Sequence, residues 1–149
     1  MSLEEIEVPI TVQQGGVEPQ YASSLAAGAD VRALIDNEIV VQPGEQALIP
    51  TGLRFEIPEG FEIQVRPRSG FALKNGITVL NSPGTIDADY RGELCIILIN
   101  HGKEPQTITP GMRVAQIVLA PVYRALFVMK ENLATTARGE KGFGHTGTH

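Results

Sequence analysis

Three observations predict an all-β fold for this chain. Apolar and polar residues alternate with period two over several short runs. Turn formers separate those runs roughly every eight to twelve residues, the spacing of an antiparallel sandwich or barrel. Sixteen glycines and ten prolines in 149 residues supply the tight turns such a fold needs.

The elements follow in order. Ile6, Val8, Ile10 and Val12 alternate with Glu7, Pro9 and Thr11 and predict a strand, with Pro9 placing it at an edge or bulge. Gln13–Tyr21 has no period and contains Gly15-Gly16 and Pro19, which predicts a loop. Ala26–Ala33 fits helix or strand by composition, and Gly28 weighs against helix. Glu38–Val41, Gln46–Ile49, Leu53–Ile57 and Phe61–Val65 read as successive strands separated by Pro43-Gly44, Pro50-Thr51-Gly52 and Pro58-Glu59-Gly60. The pattern then breaks: Pro67 ends a strand, Ser69 is an N-cap candidate, and Asn75-Gly76 is a stop, so one short helix is expected.

Ile77–Leu80 is a strand leading into Asn81–Leu94, which reads as a β-hairpin opened by Asn81-Ser82-Pro83-Gly84 and closed by Arg91-Gly92. If extended, it puts Asp87 and Asp89 on one face and Ile86, Ala88 and Tyr90 on the other. Leu94–Ile99 is apolar on both faces and should be buried on both, which fits packing against neighbouring subunits. Asn100-His101-Gly102 and Thr109-Pro110-Gly111 are turns. Gly111–Pro121 carries an apolar strand interrupted by Gln116, and Tyr123–Lys130 predicts one more strand. Asn132–His149 has no apolar period.

The length predicts one domain, and 42% hydrophobic residues suffice for a core. With 5% aromatics and no Trp, that core must be built from Val, Ile, Leu and Ala. A net charge of −5 argues against nucleic acid or an anionic membrane as partner; a phosphate ligand would need cations gathered locally. Cys95 is the single cysteine, which excludes an internal disulfide and reads as a buried core residue. With neither a signal-peptide pattern nor an apolar run of about 18 residues, a reducing, cytoplasmic setting is expected.

On residue chemistry alone, several segments keep two readings. Asp30 either caps a turn, pairs with Arg32, or serves a site. Arg68 beside a helix start is an anion site or an ordinary surface turn. Gln116 in an apolar strand must find hydrogen-bond partners, inside the fold or on a ligand. Gly142, Gly144 and Gly147 match G-x-G-x-x-G, but no strand–turn–helix surrounds them, so dinucleotide binding is rejected. The tail is then either a disordered polar segment or a stretch that wraps phosphate with backbone N–H groups and stacks Phe143 on a base.

Five runs, in order, resemble the signature motifs of the trimeric dUTPases. Ala27–Ala33 resembles A-G-x-D-[LV]-x-A, and Pro67–Ile77 resembles P-R-S-G-x-A-x-K-x-G-I. Asn81–Gly92 matches N-x-x-G-x-I-D-x-x-Y-x-G at Asn81, Gly84, Ile86, Asp87, Tyr90 and Gly92. Gly111–Gln116 resembles G-x-R-x-A-Q, and Arg138–Gly147 resembles R-G-x-x-G-F-G-x-[ST]-G. Lys141 departs from the small residue usual in the last motif.

The resemblance implies a jelly-roll-like fold with one short helix, a domain over residues 1–131 and a mobile C-terminal arm over 132–149. It implies a homotrimer with active sites at subunit interfaces. The implied reaction is hydrolysis of dUTP to dUMP and pyrophosphate with Mg2+, keeping uracil out of DNA and supplying dUMP for thymidylate synthesis. It makes Asp87 the base that activates water, and sets Asp30 near magnesium through water. Arg68 and Ser69 would contact the phosphate chain, with Gly70 allowing close backbone approach. Asn81 and the backbone around Gly84 would read uracil, and Tyr90 under the sugar would leave no space for a 2′-hydroxyl. Gln116, Arg138 and Gly144 would meet the phosphates, Phe143 the base, and His145 the phosphates through side chain or backbone, with Thr146 also among the substrate-binding residues of the arm. The alternatives are dCTP deamination on a related fold, a non-catalytic nucleotide-binding trimer, and a structural jelly-roll subunit; the complete arm and intact Asp87 favour hydrolysis of dUTP.

Overall fold

The computed structural model describes residues 2–149 and is built of short strands with one helix. A five-stranded sheet has the order β2-β3-β12-β7-β9: Gln20–Tyr21, Ala29–Arg32, Arg113–Pro121, Phe61–Arg66 and Gly84–Ile86. A three-stranded sheet has the order β5-β10-β8: Gln46–Pro50, Cys95–Asn100 and Ile77–Val79. Two ribbons complete the fold: β1 (Ile10–Val12) with β6 (Leu53–Phe55), and β4 (Ile39–Val41) with β11 (Gln106–Ile108). The pairings are antiparallel, as short strands joined by tight turns require.

Alternation sets the core. In β7, Ile63 and Val65 point inward while Gln64 and Arg66 point out. In β3, Ala29 and Val31 are buried while Asp30 and Arg32 lie on the outer face. These residues join Ile49, Ile77, Val79, Ile96 and Leu98 of the second sheet in one apolar cluster. Two polar side chains enter it, each with partners. Asn100 Nδ2 donates to the carbonyls of Val41 (2.9 Å) and Glu104 (2.8 Å), and its Oδ1 accepts from Gly102 N–H (2.8 Å). Thr51 donates to the Leu94 carbonyl at 2.6 Å. A buried amide so fully paired costs little and fixes which loop closes the sheet.

Several elements differ from expectation. The first strand is limited to Ile10–Val12, and the expected loop at 13–21 ends in the short strand β2. Ala26–Ala33 resolves to strand β3. The segment Asn81–Leu94 is not a hairpin. Its first part, β9, pairs with β7, while β10 pairs with β5 and β8, so the segment crosses between sheets. Helix α1 (Ser69–Asn75) has Arg68, not Ser69, at its N-cap, with no side-chain cap bond; the Arg68 side chain is engaged elsewhere. Cys95 is half-buried, because β10 turns Ile96, Leu98 and Asn100 to the core and Cys95, Ile97 and Ile99 away from it.

The strand expected at Tyr123–Lys130 is absent. β12 stops at Pro121, and every residue from 121 to 149 is exposed. Alternation alone does not make a strand: it needs an edge to pair with, and this segment pairs with none in its own chain.

Candidate active site

On the outer face of the large sheet, register lines up Gln20, Asp30, Gln116 and Arg66 on β2, β3, β12 and β7. Two of these side chains reach to the chain leaving β7. Gln116 Nε2 donates to the carbonyl of Pro67 at 2.9 Å. Asp30 Oδ1 accepts from Arg68 Nε at 3.1 Å, and Arg113 Nη1 stands 3.6 Å from Asp30 Oδ2. Neighbouring strands thus grip the two successive residues that lead into α1, whose first residues are Ser69 and Gly70, both exposed. The missing N-cap bond is replaced by this tertiary clamp.

The same face gathers cations in an acidic chain. Arg32, whose Nη1 donates to the Gly111 carbonyl at 2.9 Å, is the strand partner of Arg113. Arg66 donates to Gln64 Oε1. Two arginines, Arg68 and Arg113, stand on the Asp30 carboxylate, and Arg32 and Arg66 lie on the same sheet face. An open cavity of about 510 Å3 is lined by Gln20, Tyr21, Ala22, Asp30 and Arg113. Another of about 520 Å3, near Leu34–Ile39 and Pro50, contains none of the expected site residues.

The segment 81–92 forms a second group. Gly84 pairs with Val65, so Asn81 and Gly84 lie at the end of β7 from which Pro67 departs. β9 then runs the other way, and Asp87 follows Ile86, which pairs with Ile63. At about 3.4 Å per residue this carries Asp87 roughly 10 Å along the strand from Gly84. Asp87 and Asp89 are exposed, and the Asp87 carbonyl accepts from Tyr90 N–H at 3.1 Å. Tyr90 folds back so that its hydroxyl donates to the Glu93 carbonyl at 2.9 Å. Gly92 permits that fold: a Cβ there would lie 2.2 Å from the Tyr90 hydroxyl oxygen. Arg91 donates to the Ala88 carbonyl at 2.7 Å and closes the loop.

The third group is the tail. Its hydrogen bonds are internal: Arg138 Nε to the Lys141 carbonyl at 2.7 Å, Gly139 N–H to Thr136 Oγ1, His145 N–H to Gly142, Gly147 N–H to Gly144. Phe143 is fully exposed at a positive φ of 37°, an unusual value for a bulky residue. Thr146 is exposed as well. Of the expected residues, one chain brings Asp30, Arg68, Ser69, Gly70 and Gln116 together. Asn81, Gly84, Asp87 and Tyr90 form their own loop, and Arg138–Thr146 stand apart from both.

The family model described as dUTPase matches residues 16–147. The chain belongs to the dUTPase family. It is 63% identical over 137 residues to the deoxyuridine 5′-triphosphate nucleotidohydrolase of Chlamydia pneumoniae, covering 91% of this chain and 94% of that protein. Its fold is similar to that of a variant dUTPase of Staphylococcus bacteriophage 80alpha, solved with dUpNHpp (TM-score 0.86, 24% identity, 95% and 99% of the chains covered). It is also similar to a variant dUTPase of S. aureus phage phi11, described with a structural Mg(II) ion (TM-score 0.76, 22% identity, 85% and 98% covered). These dUTPase neighbours bear out the jelly-roll-like, mostly β fold.

Within this dUTPase frame, two residues emerge that motif reading quoted without assigning a role. Arg113 is the second guanidinium on Asp30; its signal was the lone cation of G-x-R-x-A-Q. Gly28 lies against Gln116: a Cβ there would be 2.0 Å from Gln116 Oε1. The pairing of Asp30 with Arg32, open from sequence, is resolved in favour of Arg68 and Arg113.

The residues also bear on magnesium. Among the described residues no group of three or more His, Cys, Asp or Glu side chains forms a metal cage. On this face Asp30 is the carboxylate paired directly with arginines, while Glu62 is bonded to Gln64, which in turn accepts from Arg66. A single carboxylate of this kind fits a hydrated magnesium ion, which takes few protein ligands and keeps several waters.

Proposed function

We propose that this chain hydrolyses dUTP to dUMP and pyrophosphate, and that the residues above do it in the roles the motifs imply. The observation that carries the reading is family membership across nearly the whole chain with every motif intact.

Arg68, Gln116 and the backbone at Ser69 and Gly70 bind the triphosphate on the cationic face of the large sheet. Asn81 and the backbone at Gly84 read the uracil edge, and Tyr90, braced on Glu93, fills the space a 2′-hydroxyl would need. Asp87 accepts a proton from water as the water oxygen bonds to the α-phosphorus. The bond from that phosphorus to the bridging oxygen breaks, and pyrophosphate leaves with the electron pair. Mg2+ on the triphosphate supplies neutralisation of its charge when bound. Arg138, Phe143, Gly144, His145 and Thr146 close over the nucleotide as an arm (132–149) on the body (1–131), excluding water. The reaction belongs with the cytoplasmic nucleotide pool, where dUMP feeds thymidylate synthesis.

We place the complete site between copies of a homotrimer. Two features support this: the tail's site residues make no hydrogen bond to the groups on the sheet, and residues 122–133 carry an exposed apolar run. Tyr123, Leu126, Phe127, Met129 and Leu133 are each at least 87% exposed, a surface that a second copy would cover. No helix among the described residues is long and apolar enough to cross a membrane.

The deciding assay is pyrophosphate release with magnesium from dUTP, beside UTP, dTTP and dCTP. Release from dUTP alone is expected. Ammonia from dCTP would place the chain on the deaminase branch, and no turnover by a folded trimer would make it a binding protein.

A further inference from the structure

We propose that Gly28 is a positioning residue of the site, acting through Gln116: its missing side chain seats the Gln116 amide where it holds the turn that presents Arg68. This rests on the reading of Arg68 as a phosphate ligand and deepens it.

Gly28 precedes β3, and its φ lies outside the left-handed region, so backbone freedom does not explain a glycine here. Space does. An added Cβ would lie 2.0 Å from Gln116 Oε1, 2.9 Å from its Cδ and 3.3 Å from its Cβ; these three nearest neighbours all belong to one side chain. The amide is the far end of a flexible chain, so it can swing away without unfolding anything. Swinging away breaks the Nε2 bond to the Pro67 carbonyl. Pro67 then loses its tie to β12, and the Arg68 side chain is left with Asp30 as the partner that orients it. The Gly28 requirement is thus a requirement for the Gln116 rotamer, transmitted from β3 through β12 to the start of α1.

The relation makes an unusual demand on mutants. Gly28→Ala should melt like wild type while lowering kcat/KM for dUTP by about 10- to 100-fold, a loss of the same size as that expected for Gln116→Ala. In a Gln116→Ala background, Gly28→Ala should add less than about twofold, because the clashing atoms are gone. A crystal structure of Gly28→Ala should show the Gln116 amide off Pro67. This readout needs no activity, so it judges the proposal even if dUTP proves not to be the substrate. Wild-type kcat/KM in Gly28→Ala, multiplicative losses in the double variant, or an undisturbed Gln116–Pro67 bond would each overturn it. If Gly28→Ala fails to fold, recovery of folding in the double variant supports the clash with Gln116, and failure of both refutes it.

Discussion

Asp30 on β3 and Arg68 at the N-cap of α1 are separated by 38 residues and meet through Oδ1 and Nε at 3.1 Å. The pair is only partly exposed, and Arg113 approaches the other carboxylate oxygen. With Arg68 as the proposed phosphate ligand, this pair holds its guanidinium in place without a nucleotide. Asp30→Asn keeps the shape and removes the charge. Its expected effect is a rise in KM for dUTP of about 5- to 30-fold, from the loss of one charge-assisted bond discounted for solvent. Arg68→Lys should not match wild type, since lysine has no Nε–H with a fork behind it. Unchanged KM in Asp30→Asn would remove the holding role.

Asp87 follows β9 in an exposed turn, and its carboxylate has no hydrogen-bond partner among the described residues. A base free of internal partners can take a water. Asp87→Asn should bind a non-hydrolysable dUTP analogue within a few-fold of wild type and lose about 10²- to 10⁴-fold in kcat. Calorimetry and steady-state kinetics check the two halves. Wild-type turnover would eliminate Asp87 as the base.

Tyr90 can bond to the Glu93 carbonyl only because Gly92 has no Cβ. Gly92→Ala should displace the ring and open the space beneath the sugar. The expected result is a fall in the ratio of kcat/KM for dUTP over UTP, by about tenfold or more. A preserved ratio would mean that something other than the Tyr90 ring excludes the ribose.

Cys95 makes a chemical prediction. Burial, the hydrogen bond to Glu93 at 3.2 Å and the charge of that carboxylate together push its thiol up to about 11, from 9.0. Near pH 8 it should remain a thiol and react slowly with iodoacetamide; Glu93→Gln should speed the reaction. Between pH 9 and 11 the unfolded chain gives up this proton and the folded chain keeps it. Stability is thus intact below pH 9 and declines as pH rises through 11. Fast labelling of wild type at pH 8 would contradict this.

Much of this was legible along the chain. Period-two runs and turn formers marked most strands, because burial of one sheet face writes itself into alternate residues. Gly76 marked the helix end, where its φ of 68° lies in the left-handed region. The motif residues named the family. Other features were not local. The segment 81–94 has the composition of a hairpin, yet β9 and β10 go to different sheets, since strand partners compete over the whole chain. Tyr123–Lys130 has a strand's alternation but no edge to join. Ser69 has a cap's chemistry, but Arg68 occupies the cap position.

By itself, then, the sequence determined the all-β class, the single short helix, the residue types of the site and the reaction class they imply. These follow from local pattern and from side-chain chemistry. Only the tertiary structure decided the partners. Asp30 holds Arg68 and Arg113 rather than Arg32, Gln116 spans to Pro67 over the space left by Gly28, and Tyr90 leans back over Gly92. Each depends on strand register and on distances of a few ångströms between residues far apart in the chain. A linear pattern does not encode such distances; packing does.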